Sequence, residues 1–376
     1  AGERFTERQP AEAALARAGG HPLHIDHLET KRESQQPPLL HDLTALQRDM
    51  NLRHGLAAAH TLKIAQELYE KKLLTYPRTD SRHLTGDMHG EIARALRELR
   101  PWNDKAVSLL DTAVLPRPRR VFDDQKVSDH HAIVPTAERA SLPEGSPEAR
   151  IHDLVCRRLL QAWHPDLVEG VTTVLTEVTS KGETQALDLF VTKGTSVEVP
   201  GHSVLERKTK KAAEETEPTI PGGLAEGTKP AVANVETLSK KTKPPKPYTE
   251  ATLLTAMETA GRTIDEKELS AAMKDSGLGT PATRAQTLET LIARSYLVRE
   301  GKALRSTPTG EALVDAVHPQ VKSPAMTGEW ELRMKRMERG EEAFDAFMAG
   351  IEDYVREVVG EVLASAPTPR SPAPPR

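Results

Sequence analysis

Two alternating, β-branched runs in the middle of the chain constrain its fold more than any other feature. The run VEGVTTVLTEVTS begins at Val168 and ETQALDLFVTKGTSVEV begins at Glu183, with a Lys-Gly turn between them, and both are typical of β-strands. Residues 22–36 alternate apolar and polar side chains at first and contain no helix-ending signal before Pro37, which predicts a further extended strand. Because the spacing on either side is helical, we predict a multi-domain α+β protein.

The bulk composition excludes several classes of protein. With 376 residues the chain is too long for one ordinary core, which predicts two or three domains. No stretch approaches the roughly 18 consecutive apolar residues of a membrane span, and the first residues lack the apolar core of a signal peptide. Cys156 is the only cysteine, which excludes an internal disulfide and a Cys-rich zinc site. A cytoplasmic protein that does not cross a membrane is expected.

Helical spacing dominates the first half of the chain. A glycine turn at Gly55 separates the first two predicted helices, and the second leads into a short apolar strand, KKLLTYP. This strand is predicted to end at Pro77, because proline lacks the amide donor that a strand needs next. The helices predicted in this half are 44–51, 57–70, 87–99 and 148–163.

Helical spacing returns at Tyr248 and lasts to about Ala364. A helix that begins after the threonine of TEATLL is followed by one that begins at Pro281, then by a strand, a tight hairpin and a second strand. This is the order of a CAP-like winged helix. Residues 44–84 and 249–305 both run helix, helix, strand, which predicts a pair of winged-helix units.

These patterns predict five regions. One more strand, AVANVETLS, is predicted inside the Lys, Glu, Gly and Pro-rich passage 207–247. The predicted regions are the first part of a β-rich arch (1–37), a helical domain with the tyrosine (38–162), the second part of the arch (163–246), a winged-helix-like base (247–364) and a disordered, Pro-rich tail (365–376).

The distribution of charge leaves nucleic-acid binding open. The net charge of -4 argues mildly against it, but charge acts where it is placed. Residues 71–120 carry eleven Lys or Arg against six Asp or Glu, and LERKTKK and SKKTKPPKP add two further basic runs. Such runs are also typical of solvated loops.

One segment, LLTYPRTDSRHL, collects a tyrosine, two arginines, an aspartate and a serine within seven residues. A tyrosine at the end of a strand is most often a half-buried packing residue. If the extended geometry continues past Pro77, Arg78 shares a strand face with Tyr76. A guanidinium there would hold the non-bridging oxygens of a phosphodiester while the phenol oxygen attacks phosphorus. On these residues alone, packing and nucleophilic catalysis both remain open for Tyr76.

A second segment, SDHHAIVPT, carries two adjacent histidines. In an extended chain His130 and His131 point to opposite faces, so they are not expected to chelate one metal ion. One of them would instead donate to a phosphate, because histidine titrates close to physiological pH. The alternative is a polar loop beside Ile133 and Val134.

Taken together, these stretches resemble the type IA DNA topoisomerases, and most closely the bacterial topoisomerase III branch. The resemblance runs in order from about Pro37 to about Gly350. It rests on DLTALQRDMN with AQELYE, then LTYPRTDSRHL, then DHHAIVPT, then PYTEATLLTAMETAG with GLGTPATRAQTLETLIARSYL and SPAMTGEWELRMKRMERG.

The resemblance implies that Tyr76 attacks single-stranded DNA and stays joined to the 5′ phosphate while another strand passes, before the break is resealed without ATP. By motif position Arg78 would stabilise the pentacoordinate phosphorus, and His130 matches the histidine near the scissile phosphate. The helix N-terminus after Pro281 would offer backbone amides to a phosphate. The residues that the resemblance assigns to DNA contacts are Gln66, Glu70, Asp80, Ser81, Thr283 and Arg284.

One departure from the family concerns the metal. Type IA topoisomerases begin with a TOPRIM domain whose acidic cluster, of Glu and Asp-x-Asp type, holds Mg²⁺ beside the tyrosine, and this chain contains no Asp-x-Asp. We therefore expect no metal ligands here, and we expect Mg²⁺ to be held by a TOPRIM domain outside these residues. Whether the chain is a fragment or the product of a truncated gene stays open.

Three interpretations follow from the sequence. The first is a monomeric, gate-forming part of a topoisomerase that binds single-stranded DNA weakly and is inactive by itself. The second is a non-catalytic single-stranded DNA-binding remnant whose tyrosine is unused. The third is a helical scaffold with two winged-helix domains that bind protein.

Overall fold

The computed structural model describes residues 5–99, 116–179, 186–206, 220–273 and 277–365. In these ranges helices combine with antiparallel sheets, so the predicted α+β class is confirmed. None of the helices in the described ranges is both long enough and apolar enough to cross a membrane. In chain order the helices are α1 (Arg8–Gly20), α2 (Leu43–His54), α3 (Ala58–Glu70), α4 (His89–Glu98), α5 (Pro147–Gln161), α6 (Glu250–Glu258), α7 (Lys267–Ala272), α8 (Pro281–Ala293), α9 (Pro308–Ala316), α10 (Pro324–Glu338) and α11 (Phe344–Ser365). The strands are β1 (Leu23–Gln35), β2 (Leu167–Thr179), β3 (Ala186–Val199), β4 (Leu297–Glu300) and β5 (Ala303–Ser306).

The chain forms two compact units, and the tyrosine motif contributes to both. Tyr76–Ser81 belongs to the second unit, whereas Lys71–Thr75 belongs to the first. The boundaries of the five predicted regions stay predictions. Unit 1 consists of Ala1–His41, Lys71–Thr75 and Arg82–Pro245, and unit 2 of Asp42–Glu70, Tyr76–Ser81 and Lys246–Arg376.

Unit 1 contains a three-stranded antiparallel sheet in the order β1-β2-β3. Leu28 lies opposite Val174, and β2 continues its alternation against β3 on its other side. The three strands predicted from alternation are therefore confirmed. Helix α1, which the sequence did not predict, packs against β3, and Arg17 donates two hydrogen bonds to Asp188 at 2.5 and 2.8 Å.

The strand predicted for AVANVETLS is wrong, since residues 231–239 have no strand structure. The chain after β3 meets the sheet earlier: Ile25 donates its amide to Thr228 at 2.8 Å, and Gly227 donates back to Ile25 at 2.7 Å. A strand requires partners for its backbone donors and acceptors. Alternation alone did not supply such partners.

The helices α4 and α5 confirm two more predictions, and they form the main core of unit 1. Helix α5 begins at Pro147, and the side chain of Ser146 accepts a hydrogen bond from the amide of Ala149, as expected of an N-cap. Their apolar faces pack with short irregular segments that include Leu84, the last residue of the tyrosine motif, and Val134 of the histidine motif. The core residues include Leu40, Leu84, Ile92, Leu96, Phe122, Val134, Leu159 and Leu160.

Unit 2 begins with the predicted pair α2 and α3. Asp42 caps α2 by accepting from the amide of Ala45 at 2.6 Å. The helix ends at Gly55, which has φ of 68° and donates to Asn51; this left-handed conformation explains the glycine. Leu254, Ala285 and Leu288 of α6 and α8 form a buried cluster with Ala58, the first residue of α3.

The predicted strand in KKLLTYP is wrong. Leu74 forms only an isolated bridge, to Pro135, and the remainder of this segment is irregular. The helix, helix, strand order therefore fails at 44–84. In the second segment both predicted helices, α6 and α8, precede the β4-β5 hairpin, but the short helix α7 lies between them; Thr249 bridges to Ala303. Winged-helix identity stays a prediction for both segments.

Candidate functional site

The residues that lead into Tyr76 are held by the segment that follows the two histidines. Within unit 1, the amide of Thr75 donates to the carbonyl of Val134 at 3.0 Å, and the amide of Val134 donates to Thr75 Oγ1 at 3.0 Å. The same hydroxyl donates to the carbonyl of Ala132 at 3.2 Å. Two motifs whose bonded residues are 59 positions apart thus meet through backbone and side-chain hydrogen bonds.

The opposite edge of the same segment is also paired. Ile133 donates its amide to His41 at 2.8 Å, and Ala132 donates to the carbonyl of His83 at 2.9 Å. Ile133 and Val134 are buried. Burial, and next the positive charge of Lys126, lower the pKa of His83, so its imidazole is neutral near pH 7. Residues 132–135 therefore form a buried link between three separate parts of the chain.

The two histidines differ in their surroundings. His130 is exposed and lies in a bend formed by residues 128–130, so the extended geometry assumed for it is absent. His131 is partly buried, and its Nδ1 lies 2.8 Å from the carbonyl oxygen of Ala132. His130 belongs to unit 1, whereas Tyr76 belongs to unit 2. Its predicted role at a phosphate stays a prediction.

In unit 2, the segment Tyr76–Ser81 rests on the first turn of α2. The amide of Leu43 donates to the carbonyl of Thr79 at 3.0 Å. The first four amides of an α-helix have no partner inside the helix, so this contact satisfies one of them. Thr79 Oγ1 in turn accepts from the amide of Ser81 at 3.1 Å, and both side chains are buried.

The chemically important side chains of this segment are less buried. Tyr76 is half-buried, whereas Arg78 and Asp80 are exposed. The chain bends at Pro77, so the extended geometry that would put Tyr76 and Arg78 on one strand face is absent. The exposed guanidinium of Arg78 is nevertheless two residues from the phenol and accessible to a ligand.

Helix α3 brings a second aromatic ring to the tyrosine. The rings of Tyr69 and Tyr76 are 5.3 Å apart between centroids and inclined by 72°, an edge-to-face pair. The side chain of Tyr69 is 40% exposed. The signal that would have identified Tyr69 was its position in AQELYE, the stretch leading to the tyrosine motif.

Gln66 and Glu70 also lie on α3. The Nε2 of Gln66 donates to the carboxylate of Glu70 at 3.4 Å, one helical turn away. Gln66 is partly buried and Glu70 is exposed. These contacts define an ordinary polar helix surface, and the DNA contacts proposed for the two residues stay predictions.

The polar side chains at the start of α8 form hydrogen bonds within the protein. Thr283 Oγ1 accepts from the amide of Thr280 at 2.9 Å, as in a capping box. Arg284 is only 3% exposed; its Nε donates to the carbonyl of Leu278 at 3.1 Å and its Nη1 to the hydroxyl of Thr44 at 3.1 Å. Burial lowers the pKa of this arginine, against the opposing charges of Glu258 and Asp42. Arg284 is therefore a buried residue held by protein contacts, and the DNA contact that the resemblance assigns to it stays a prediction.

One group of possible metal ligands lies on the sheet of unit 1. Among the described residues, the one grouping of three suitable ligands is His24, Asp26 and Glu177 on β1 and β2 of unit 1. None of these was predicted to act with Tyr76. Among the described residues of the tyrosine motif no such group of three ligands is found, and the assignment of Mg²⁺ stays a prediction.

Comparisons of the sequence and of the structure with known proteins both find topoisomerases. The family model for DNA topoisomerase matches residues 1–349. The DNA topoisomerase 3 of Pasteurella multocida is 32% identical over 94% of this chain and 54% of its own length. That of Shouchella clausii is 34% identical over 92% of this chain and 47% of its own length. The chain therefore spans about half the length of the curated relatives it matches.

A solved structure gives the same result for the fold. The full-length topoisomerase I of Thermotoga maritima has a TM-score of 0.67 and 21% identity, with 95% of this chain and 55% of that chain covered. At this identity the likeness supports the fold alone. The extended sequence matches decide the family: this chain belongs to the type IA DNA topoisomerases, with relatives named DNA topoisomerase 3.

Proposed function

We propose that this chain is the nucleophile-bearing part of a type IA DNA topoisomerase and that Tyr76 cleaves single-stranded DNA. The observation that carries the proposal is the hydrogen-bonded meeting of Thr75 with Ala132 and Val134. It joins the start of the tyrosine motif to the end of the histidine motif. These hydrogen bonds fix the position of Thr75, the residue directly before Tyr76, within unit 1.

In the proposed reaction, the Tyr76 oxygen forms a bond to phosphorus and the bond between phosphorus and the 3′ oxygen breaks. The phenol proton is lost and the departing 3′ oxygen is protonated, so the products are a 5′-phosphotyrosine and a 3′-hydroxyl. Resealing is the reverse step. Because one phosphodiester replaces another, the cycle needs no ATP.

The phenol needs help at neutral pH, because its ordinary pKa is near 10. Arg78 is exposed beside Tyr76 in sequence and would hold the non-bridging oxygens, which spreads the charge of the pentacoordinate phosphorus. His130, exposed in unit 1, would donate to a phosphate oxygen. Glu70 and Asp80, also exposed, would line the path of the strand.

Mg²⁺ is assigned to no residue of this chain. We propose that an acidic TOPRIM domain outside these residues supplies it, and that this domain and single-stranded DNA are the chain's partners. By itself the chain is expected to be a monomer that binds single-stranded DNA weakly and relaxes little or no supercoiled DNA. A cytoplasmic location is proposed with the same function.

The test is formation of a covalent complex. The chain is incubated with labelled single-stranded oligonucleotide and Mg²⁺, with and without a separately expressed acidic domain from a topoisomerase 3 relative, and denaturing gels are run. We expect an adduct only with the added domain and none for Tyr76→Phe. DNA binding without any adduct would favour the non-catalytic remnant, and an adduct with Tyr76→Phe would refute the nucleophile.

A further inference from the structure

The buried arginine of α8 suggests a role that exposed arginines do not have. Arg284 is 3% exposed, and its Nε and Nη1 donate to protein atoms in unit 2. A charged group is costly to bury unless its donors are satisfied. The arginine is therefore fixed by specific contacts, and the residues that make these contacts indicate its role.

The first part of this environment is the loop before α8. Gly277 has φ of 64°, and a Cβ there would lie 2.7 Å from two carbonyl oxygens and 3.0 Å from Nη2 of Arg284. A side chain at this position would thus be strained and would also occupy the space of the guanidinium. The carbonyl of Leu278 in the same loop accepts a hydrogen bond from Nε of Arg284, so the loop contacts the guanidinium both there and at Gly277.

The second part is the N-terminal turn of α2. Nη1 of Arg284 donates to Oγ1 of Thr44, which is 1% exposed and 240 positions away in sequence. The preceding residue, Leu43, donates its amide to Thr79. The first turn of α2 thus contacts the guanidinium through Thr44 and the Tyr76–Ser81 segment through Leu43.

Nearby charges favour the same arrangement. Asp42, the N-cap of α2, and Glu258 both oppose the lowering of the arginine's pKa, while Arg48 acts in the other direction. Arg48 is itself paired with Glu258 at 2.6 Å. The guanidinium therefore lies in a balanced group of charges beneath the helix start.

We propose that Arg284 is a positioning residue for the Tyr76 nucleophile, acting through Thr44 and the first turn of α2 rather than through DNA. The proposal rests on the proposed function of Tyr76. A small displacement of that turn would move the Thr79 contact and, with it, the segment that carries Tyr76 and Arg78. Catalytic rates are sensitive to such misplacement.

The first test uses no DNA. Amide hydrogen exchange is measured by mass spectrometry on the full chain and on the variants Arg284→Ala, Thr44→Val and Arg294→Ala. Thr44→Val removes only the acceptor, and Arg294, exposed at the end of the same helix, is the matched control. Exchange of peptides covering residues 76–81 is expected to rise at least threefold in the first two variants and to stay unchanged in the control. Unchanged exchange in Arg284→Ala would overturn the proposal even if Tyr76 is not catalytic.

The second test separates positioning from DNA contact. With the acidic domain supplied, Arg284→Ala is expected to lower the single-turnover cleavage rate at saturating DNA at least tenfold, with the Kd for DNA changed less than twofold. If Arg284 contacted a phosphate, its replacement by alanine would instead raise the Kd for DNA and reduce the salt slope of log K by about 0.7 for single-stranded DNA. Absence of an adduct with the unaltered chain would count against the proposed function alone.

The remaining variants test the path of the effect. Arg284→Lys keeps the charge but not the planar fork, so it is expected to keep DNA affinity and not to restore cleavage. Thr44→Val should lower cleavage about threefold, and adding it to Arg284→Ala should have little further effect, because the two residues share one contact. Full additivity would refute the path through Thr44.

Discussion

Replacement of Glu250 tests how firmly the helix before the tyrosine is held. This carboxylate is 4% exposed in unit 2; Oε2 accepts from the amide of Ala58 at 2.7 Å, and Oε1 accepts from Nε of Arg299 at 2.7 Å. Ala58 is the first residue of α3 and is buried. Glu250 thus caps a helix 192 positions away with a negative charge, which also suits the positive end of the helix dipole.

The expected magnitude follows from these two contacts. Leaving the buried amide of Ala58 without a partner costs about 1–3 kcal/mol. Losing the pair with Arg299 adds less than the about 3–5 kcal/mol of a fully buried pair, because that arginine is 34% exposed and also bonds to Glu289. We therefore expect Glu250→Ala to destabilise unit 2 by about 3 kcal/mol, and Glu250→Gln, which keeps an acceptor for the amide, by about 1 kcal/mol.

The assay is urea unfolding followed by circular dichroism, together with hydrogen exchange of α3 to localise the change. Glu300→Ala is the control, because Glu300 pairs with Arg305 in solvent and its removal should have little effect. A cost for Glu250→Ala below about 0.5 kcal/mol, within the range of ordinary surface substitutions, would refute this account of the helix cap.

Three further predictions concern the motifs and the effect of pH. Tyr69→Ala removes an edge-to-face pair with Tyr76 worth about 0.5–1.5 kcal/mol and should slow cleavage about two- to tenfold, whereas Tyr69→Phe should stay near the unaltered rate in the covalent-complex assay. Arg78→Ala should lower the cleavage rate about 100-fold or more, and a loss below threefold would contradict its charge-placement role. Burial lowers the pKa of His152 and of His83, so the stability they contribute is present above the ordinary pKa of about 6.5 and is lost as pH falls through their lowered values. The urea concentration at the midpoint of unfolding should therefore decrease as the pH is lowered below 6.5, and His152→Gln should flatten that dependence.

The helices and the sheet were largely predictable because their signals are local. Apolar spacing, the turn at Gly55 and the proline starts at Pro147 and Pro281 act within a few residues, and the structure has these features. The failures share a cause. The KKLLTYP and AVANVETLS segments have strand-like composition, but a strand exists only where a neighbouring strand pairs with it.

The candidate site shows the same division more sharply. Sequence alone determined the family resemblance, since the Tyr76 motif, the histidine motif and the GTPATR helix start were all recognised from their order in the chain, and the chemical roles of their residues stay predictions. Only the tertiary structure decided that Arg284 is buried, because its partner Thr44 is 240 positions away. It also decided that Tyr69 contacts Tyr76. Burial and contact depend on long-range packing, which a motif read along one chain does not contain.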